Sequence, residues 1–201
     1  MNRWLFIVCY SLLFVGAPIF LALTQGIPSQ SNFQLAVLLV SVGAFGLTLG
    51  LFWLTRLLPK DSVKMRLGKM MSWHKYLGYA VCIIFMIHPI LIIARRFWVV
   101  ESNPIHNLKL MLTAPLVWPG MAAWLLLMLI MGFALARKRF SAKTFRNLHG
   151  WLSIAFLIFA AWHVISIGRH SDLILAAFWG LLAAAAIVGY FNRALLKKRT
   201  S

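Results

Sequence analysis

Four of the six histidines form two pairs with the same spacing. His74 and His88 are fourteen residues apart, and so are His149 and His163, and a largely apolar run separates the members of each pair. In a helix, fourteen steps of 100° end about 40° short of four turns, so both rings of a pair lie on one face. At 1.5 Å per residue, they are separated by about 21 Å along the helix axis.

This arrangement suits the ligation of haem iron, because a neutral imidazole nitrogen is a good axial ligand. One predicted helix lies between the two that carry the pairs, so these two helices run in the same direction. We therefore expect His74 and His149 to ligate an inner haem b, and His88 and His163 to ligate an outer one. A single histidine inside a membrane is often only a hydrogen-bonding residue between helices. Coincidence explains two equal spacings poorly.

The composition predicts that these helices lie in a membrane. Hydrophobic residues make up 62% of the chain and charged residues 11%, whereas soluble proteins carry about 25% charged residues. The only acidic residues are Asp61, Glu101 and Asp172, which argues against carboxylate metal sites, paired acid catalysts and carboxylate proton relays. Cys9 and Cys82 lie in apolar runs without a C-x-x-C motif, so iron–sulfur, zinc-ribbon and covalently attached haem sites are not expected.

Six apolar stretches reach the length of about 20 residues that a membrane-spanning helix needs. The first is too long for the apolar core of a signal peptide, and no convincing cleavage site follows it. We expect an all-α integral membrane protein, a six-transmembrane-helix bundle that forms a single domain over residues 1–201. The predicted spans are 4–23, 33–55, 73–93, 116–136, 148–167 and 173–191.

Basic residues predict the orientation of the bundle. Of the 20 lysines and arginines, only Arg95, Arg96, Lys109 and Arg169 fall on one side, and the remaining 16 fall on the other. Since basic loops stay in the cytoplasm, both termini should be cytoplasmic. The net charge of +17 is then a consequence of topology, and no nucleic-acid partner is expected.

The tendency of basic loops to stay in the cytoplasm does not explain the few basic residues on the outer side. Arg95 and Arg96 follow His88 by about two helical turns, and Arg169 lies just beyond the outer haem position. One or more of them could pair with the haem propionates, since guanidinium groups bind carboxylates well. The others, with His106 and His170, would face an anionic acceptor; the alternative is that they are solvated loop charges.

Two further residues fit the haem interpretation. Gly78 lies one turn after His74, where a missing side chain would admit a flat macrocycle, although glycine is also common where membrane helices pack. Phe156 lies midway between the histidines of the second pair and could pack between two haems. Ordinary core packing explains it equally well.

The two helix openings, WHKYLGY and RNLHGW, together with the paired spacings, resemble the ferric reductase-like transmembrane domain. That family includes ferric-chelate reductases, NADPH oxidases and the haem-binding membrane subunit of the bacterial methionine sulfoxide reductase system. The resemblance implies that the four histidines ligate two haems b, which pass electrons outward from a cytoplasmic flavin. It also implies an oxidoreductase subunit in the bacterial inner membrane.

The resemblance leaves the electron donor and acceptor open. The chain contains no G-x-G-x-x-G loop, so we expect no flavin or nicotinamide site and a separate cytoplasmic flavoprotein reductase as donor. A ferric chelate, oxygen, a quinone and a periplasmic protein all remain open as acceptors. The alternative redox function is a quinone-linked cytochrome b subunit. A non-redox transporter or assembly protein is disfavoured, because intramembrane acids and discontinuous helices are lacking.

Overall fold

The computed structural model describes residues 3–24, 31–54, 67–99, 103–167 and 172–199. Over these ranges the chain is helical and contains no strand, which confirms the all-α prediction. A π-helical turn, Leu12–Gly16, joins the first two helices, and 3-10 turns precede the sixth and seventh. The helices are α1 (Arg3–Ser11), α2 (Ala17–Thr24), α3 (Asn32–Phe52), α4 (Leu67–Val99), α5 (Pro104–Thr113), α6 (Trp118–Leu135), α7 (Ala142–Ile167) and α8 (Leu173–Arg199).

Within the described residues, six helical segments are long and apolar enough to cross a membrane, so the prediction of a multi-pass integral membrane protein is confirmed. They are Trp4–Thr24, Asn32–Phe52, Gly68–Ala94, Pro115–Leu135, Ala142–Ile167 and Leu173–Asn192. The cytoplasmic location of the termini stays a prediction.

α8 ends at Arg199, eight residues beyond its predicted span, and α4 ends at Val99, six residues beyond its own. The starts of α4 and α7 also differ from the predicted ones. Each begins six residues before its predicted span, at Leu67 and Ala142, because polar residues continue the helix beyond its apolar part. With 33 residues, α4 is about 50 Å long and exceeds the hydrocarbon thickness of about 30 Å. The sequence analysis did not predict α5, since its 10 residues are too few to span.

The chain divides into two compact units, of which the first comprises Met1–Val81 and Asp172–Ser201. In this unit, α3 approaches the π-helical turn so closely that a Cβ atom on Gly46 would collide with the backbone carbonyl of Phe14. The ring of Phe45 packs edge-on against the fully buried Trp179 of α8, with 4.9 Å between centroids. The first unit is thus held by close packing of small and aromatic residues. The expectation of a single domain stays a prediction.

The second unit, Cys82–Ser171, is built on the antiparallel pair α6 and α7. Small residues at the contact allow two membrane helices to approach closely, and α7 buries Gly150, Ala160 and Ala161 while α6 buries Ala123. The buried residues are Pro119, Ala123, Leu127 and Ile130 of α6, and Gly150, Ile154, Phe156, Leu157, Ala160 and Ala161 of α7. This pair is the frame on which the histidines of α7 are placed.

Candidate histidine site

The histidine pairs lie on two uninterrupted helices. His74 and His88 both belong to α4, which continues through Pro89, and His149 and His163 both belong to α7. The four side chains are half-buried. Because each helix is continuous, the separation of about 21 Å within a pair follows from helical geometry.

The two outer histidines come together in the second unit. His88 and His163 lie within the range over which their charges would interact, although they belong to different helices. The sequence analysis pairs the same two residues, and their role as ligands of an outer haem stays a prediction. His74 lies in the first unit and His149 in the second, so the corresponding inner pair stays a prediction.

The imidazole of His163 rests on a glycine of the neighbouring helix. A Cβ atom on Gly120 of α6 would lie 2.6 Å from both Cε1 and Nδ1 of His163 and 2.9 Å from its Cγ. Carbon atoms in ordinary contact are 3.5–4.0 Å apart, so only glycine leaves the ring in this position. Gly120 therefore forms a seat for the ring.

A hydrogen bond also orients the same ring. The backbone of Leu116, in the 3-10 turn Pro115–Val117 directly before α6, lies within hydrogen-bonding reach of His163. Only Nε2 can make this bond, because the buried Nδ1 has no hydrogen-bond partner among the described residues. Metal-ligating histidines commonly donate their second ring N–H to a carbonyl, which fixes the tautomer and the ring plane. The seat and the hydrogen bond therefore restrain His163 from two directions.

Aromatic side chains connect α4 and α7 on the inner side of this histidine pair. Phe85 and Phe156 face each other with 6.5 Å between ring centroids and 56° between planes. Phe156 is only 5% exposed. Close backbone packing in this unit joins α6 to α7, whereas α4 meets α7 mainly through side chains. The predicted location of Phe156 between two haems stays a prediction.

The inner histidine of α7 is covered by a ring one turn earlier. Phe145 stacks on His149 with 5.2 Å between centroids and 15° between planes. The backbone carbonyl of His149 accepts a hydrogen bond of 2.6 Å from the Ser153 hydroxyl. These contacts fix the start of α7 around His149.

The remaining predicted residues are spread over both units. A Cβ atom on Gly78 would have no neighbour within 4 Å, so protein packing does not require glycine there. Arg95 and Arg96 lie in the α4 backbone, but their side chains fall outside the described part. Arg169 and His170 lie outside the described residues altogether. His106 is exposed on α5, whose first turn is capped by the side chain of Asn103.

Two residues were missed by the sequence analysis, Gly120 and Phe145. The run PGMAAW at the start of α6 indicates close helix packing, but it does not identify the partner. The i, i+4 spacing from Phe145 to His149 could have suggested the stack. Within the described residues, no group of three or more His, Cys, Asp or Glu side chains could hold a free metal ion. Paired histidines instead match the two axial positions of haem iron.

Three observations agree with a haem at the predicted outer level. Two imidazoles from different helices lie near each other, one ring occupies a seat that a Cβ atom would fill, and a backbone hydrogen bond orients that ring. These features would hold two imidazoles in place for a haem iron, and the buried Nδ1 of His163 is left without a hydrogen-bond partner among the described residues.

Comparison with known proteins gave one family and one relative. The sequence profile of the family described as "Ferric reductase like transmembrane component" matches residues 34–167. A protein of Archaeoglobus fulgidus, named only "Uncharacterized protein", is 26% identical over 153 residues, which cover 74% of this chain and 84% of that protein. No solved structure matches the chain.

Proposed function

The chain belongs to the family of ferric reductase like transmembrane components, and we propose that it carries electrons across the membrane through two haems b. His74 and His149 hold the inner haem, and His88 and His163 hold the outer one. A haem b, when bound, supplies a one-electron Fe³⁺/Fe²⁺ couple that does not require a proton to be delivered. The protein contributes axial ligands, ring orientation and an apolar surrounding.

The proximity of His88 and His163 carries the proposal. These residues are the only two histidines at the outer ends of α4 and α7, and the equal spacings place them at one depth. The close contact between Gly120 and the His163 ring supports a functional role for the position of that ring. A ring that only filled space could lie elsewhere, and a residue with a Cβ atom could then occupy position 120.

Other residues complete the proposed cofactor sites. Phe156 packs between the two haem levels, and Gly78 leaves room beside the inner macrocycle. One or more of Arg95, Arg96 and Arg169 pair with the propionates of the outer haem.

The partners follow from the orientation of the chain. The inner haem receives electrons from a separate cytoplasmic flavoprotein, and basic residues of the α6–α7 connection steer its acidic face. The outer haem passes electrons to an anionic acceptor near His106 and His170. The donor can be identified by asking whether a flavoprotein or a quinol reduces the purified protein; reduction by quinol alone would favour a quinone-linked cytochrome b.

The test is the absorption spectrum and haem count of the purified protein, wild type and variants. We expect two low-spin haems b per chain, and the loss of one of them in His88→Ala and in His163→Ala. His106→Ala is the matched control, because it removes an exposed imidazole from α5 and should keep both haems. A colourless wild-type protein, or a His163→Ala variant with full haem content and an unchanged spectrum, contradicts the proposal.

A further inference from the structure

A charged side chain, an aromatic ring and an imidazole form a column at the start of α7. The guanidinium carbon of Arg137 lies 4.7 Å from the centroid of the Phe145 ring. Phe145 also stacks on His149, with 5.2 Å between ring centroids and 15° between planes. By these two separations, the guanidinium lies at most about 10 Å from the imidazole.

The backbone of the α6–α7 connection determines this column. Arg137 begins the 3-10 turn Arg137–Arg139. The amide of Arg139 donates a hydrogen bond to the carbonyl of Ala136, and the amide of Phe140 donates one to the carbonyl of Arg137. Ser141 then caps α7, since its hydroxyl accepts a bond of 3.1 Å from the amide of Thr144. The turn therefore brings Arg137 back over the first turn of the helix, where Phe145 lies.

Arg137 differs in this respect from the two basic residues that follow it. All three residues of the turn, Arg137, Lys138 and Arg139, are exposed. Of these three, Arg137 is the one that the described part of the chain shows over an aromatic ring. An exposed cation–π contact favours the stacked position by about two- to fivefold. One of the three charges is therefore held at a defined place relative to His149, and the other two are solvated.

We propose that Arg137, held on the face of Phe145, raises the reduction potential of the haem that His149 ligates; this rests on the proposed function. A ferric haem carries one more positive charge than a ferrous haem, so a nearby fixed cation favours the reduced form. The inner haem then accepts an electron from the donor more readily. Arg137 is a positioning and charge-setting residue and touches no reacting atom.

The size of the effect follows from Coulomb's law. One charge at about 10 Å, with an effective dielectric constant of about 20, changes an equilibrium constant by roughly fifteenfold. The exposure of the guanidinium and the greater distance to the iron both reduce this figure, so tenfold is an upper value. For a one-electron couple, a tenfold change corresponds to about 59 mV.

The test is a redox titration of the purified holoprotein, followed by absorption. The inner haem is identified as the one that His149→Ala removes. Arg137→Gln should lower the midpoint potential of this haem by up to about 59 mV and leave the outer haem unchanged. Phe145→Leu keeps the charge but removes the ring beneath it, and should shift the potential in the same direction.

The matched control is Lys138→Gln, which removes an equal charge from the next residue and should have a clearly smaller effect. Equal shifts in Arg137→Gln and Lys138→Gln overturn the inference, because net charge alone would then be responsible. An unchanged inner potential in Arg137→Gln, or in Phe145→Leu, also overturns it. If the protein binds two haems and the midpoint potential of the inner haem does not change in these variants, only this inference is contradicted. If the protein binds no haem, the proposed function is contradicted as well.

Discussion

The replacement of Gly120 by alanine tests whether the outer haem depends on the seat beneath His163. The new Cβ atom would lie 2.6 Å from Cε1 and Nδ1 of the ring, and ordinary carbon contacts begin at about 3.5 Å. The ring must therefore retreat by about 1 Å. Because the obstacle is a side chain, it can turn away while the backbone of α6 and α7 stays in place.

The magnitude follows from this displacement. A shift of about 1 Å at the imidazole requires a torsion change of roughly 20–30°, which costs about 0.5–1.5 kcal/mol. Measured costs of inserting extra methyl or methylene groups into packed interiors are about 1–3 kcal/mol. Since about 1.4 kcal/mol is a factor of ten, the affinity for the outer haem should fall by between about 5-fold and 140-fold. The helix itself gains from alanine, which is preferred to glycine by about 1 kcal/mol.

The assay is the haem count per chain together with the low-temperature paramagnetic resonance of the oxidised protein. We expect Gly120→Ala to lose the outer haem or to change its low-spin signal, with the inner haem unaffected. The control is Gly132→Ala on the same helix, where an added Cβ meets no atom within 4 Å. The reasoning is refuted if Gly120→Ala retains both haems with unchanged signals, or if Gly132→Ala causes the same loss.

Three further predictions concern the surfaces and the first unit. Reduction of the haem by its donor should slow as salt rises, and charge reversal at Lys138 and Arg139 should weaken that dependence; rates that ignore both changes contradict the docking role of these residues. The double variant Arg96→Ala, Arg169→Ala should lower the occupancy of the outer haem alone or shift its midpoint potential, which a redox titration would detect. If both haems are unaltered, these arginines do not pair with the propionates. Gly46→Ala should destabilise the protein by about 1–3 kcal/mol, because its Cβ meets a backbone carbonyl and cannot be avoided by a side-chain rotation; an unchanged thermal midpoint in detergent would contradict the close approach.

The sequence determined the fold class because membrane segments must satisfy their backbone hydrogen bonds internally. Long uncharged runs in a chain with 11% charged residues leave helices as the consistent solution, and six were found. The boundaries of α4 and α7 were less accurate, because hydropathy reports the apolar part of a helix and not its polar extension. The short helix α5 was missed for the same reason.

The sequence also identified the histidines, since their equal spacings depend only on the period of the helix. It could not identify the surroundings of each ring, because contacts between helices depend on their rotation and distance. That Gly120 lies under His163, and that Arg137 returns over Phe145, follows from how α6 packs against α7 and from the turn between them. The sequence by itself determined which histidines share a helix face at equal spacings, and the tertiary structure decided which neighbours contact their rings, because such neighbours come from separate segments of the chain.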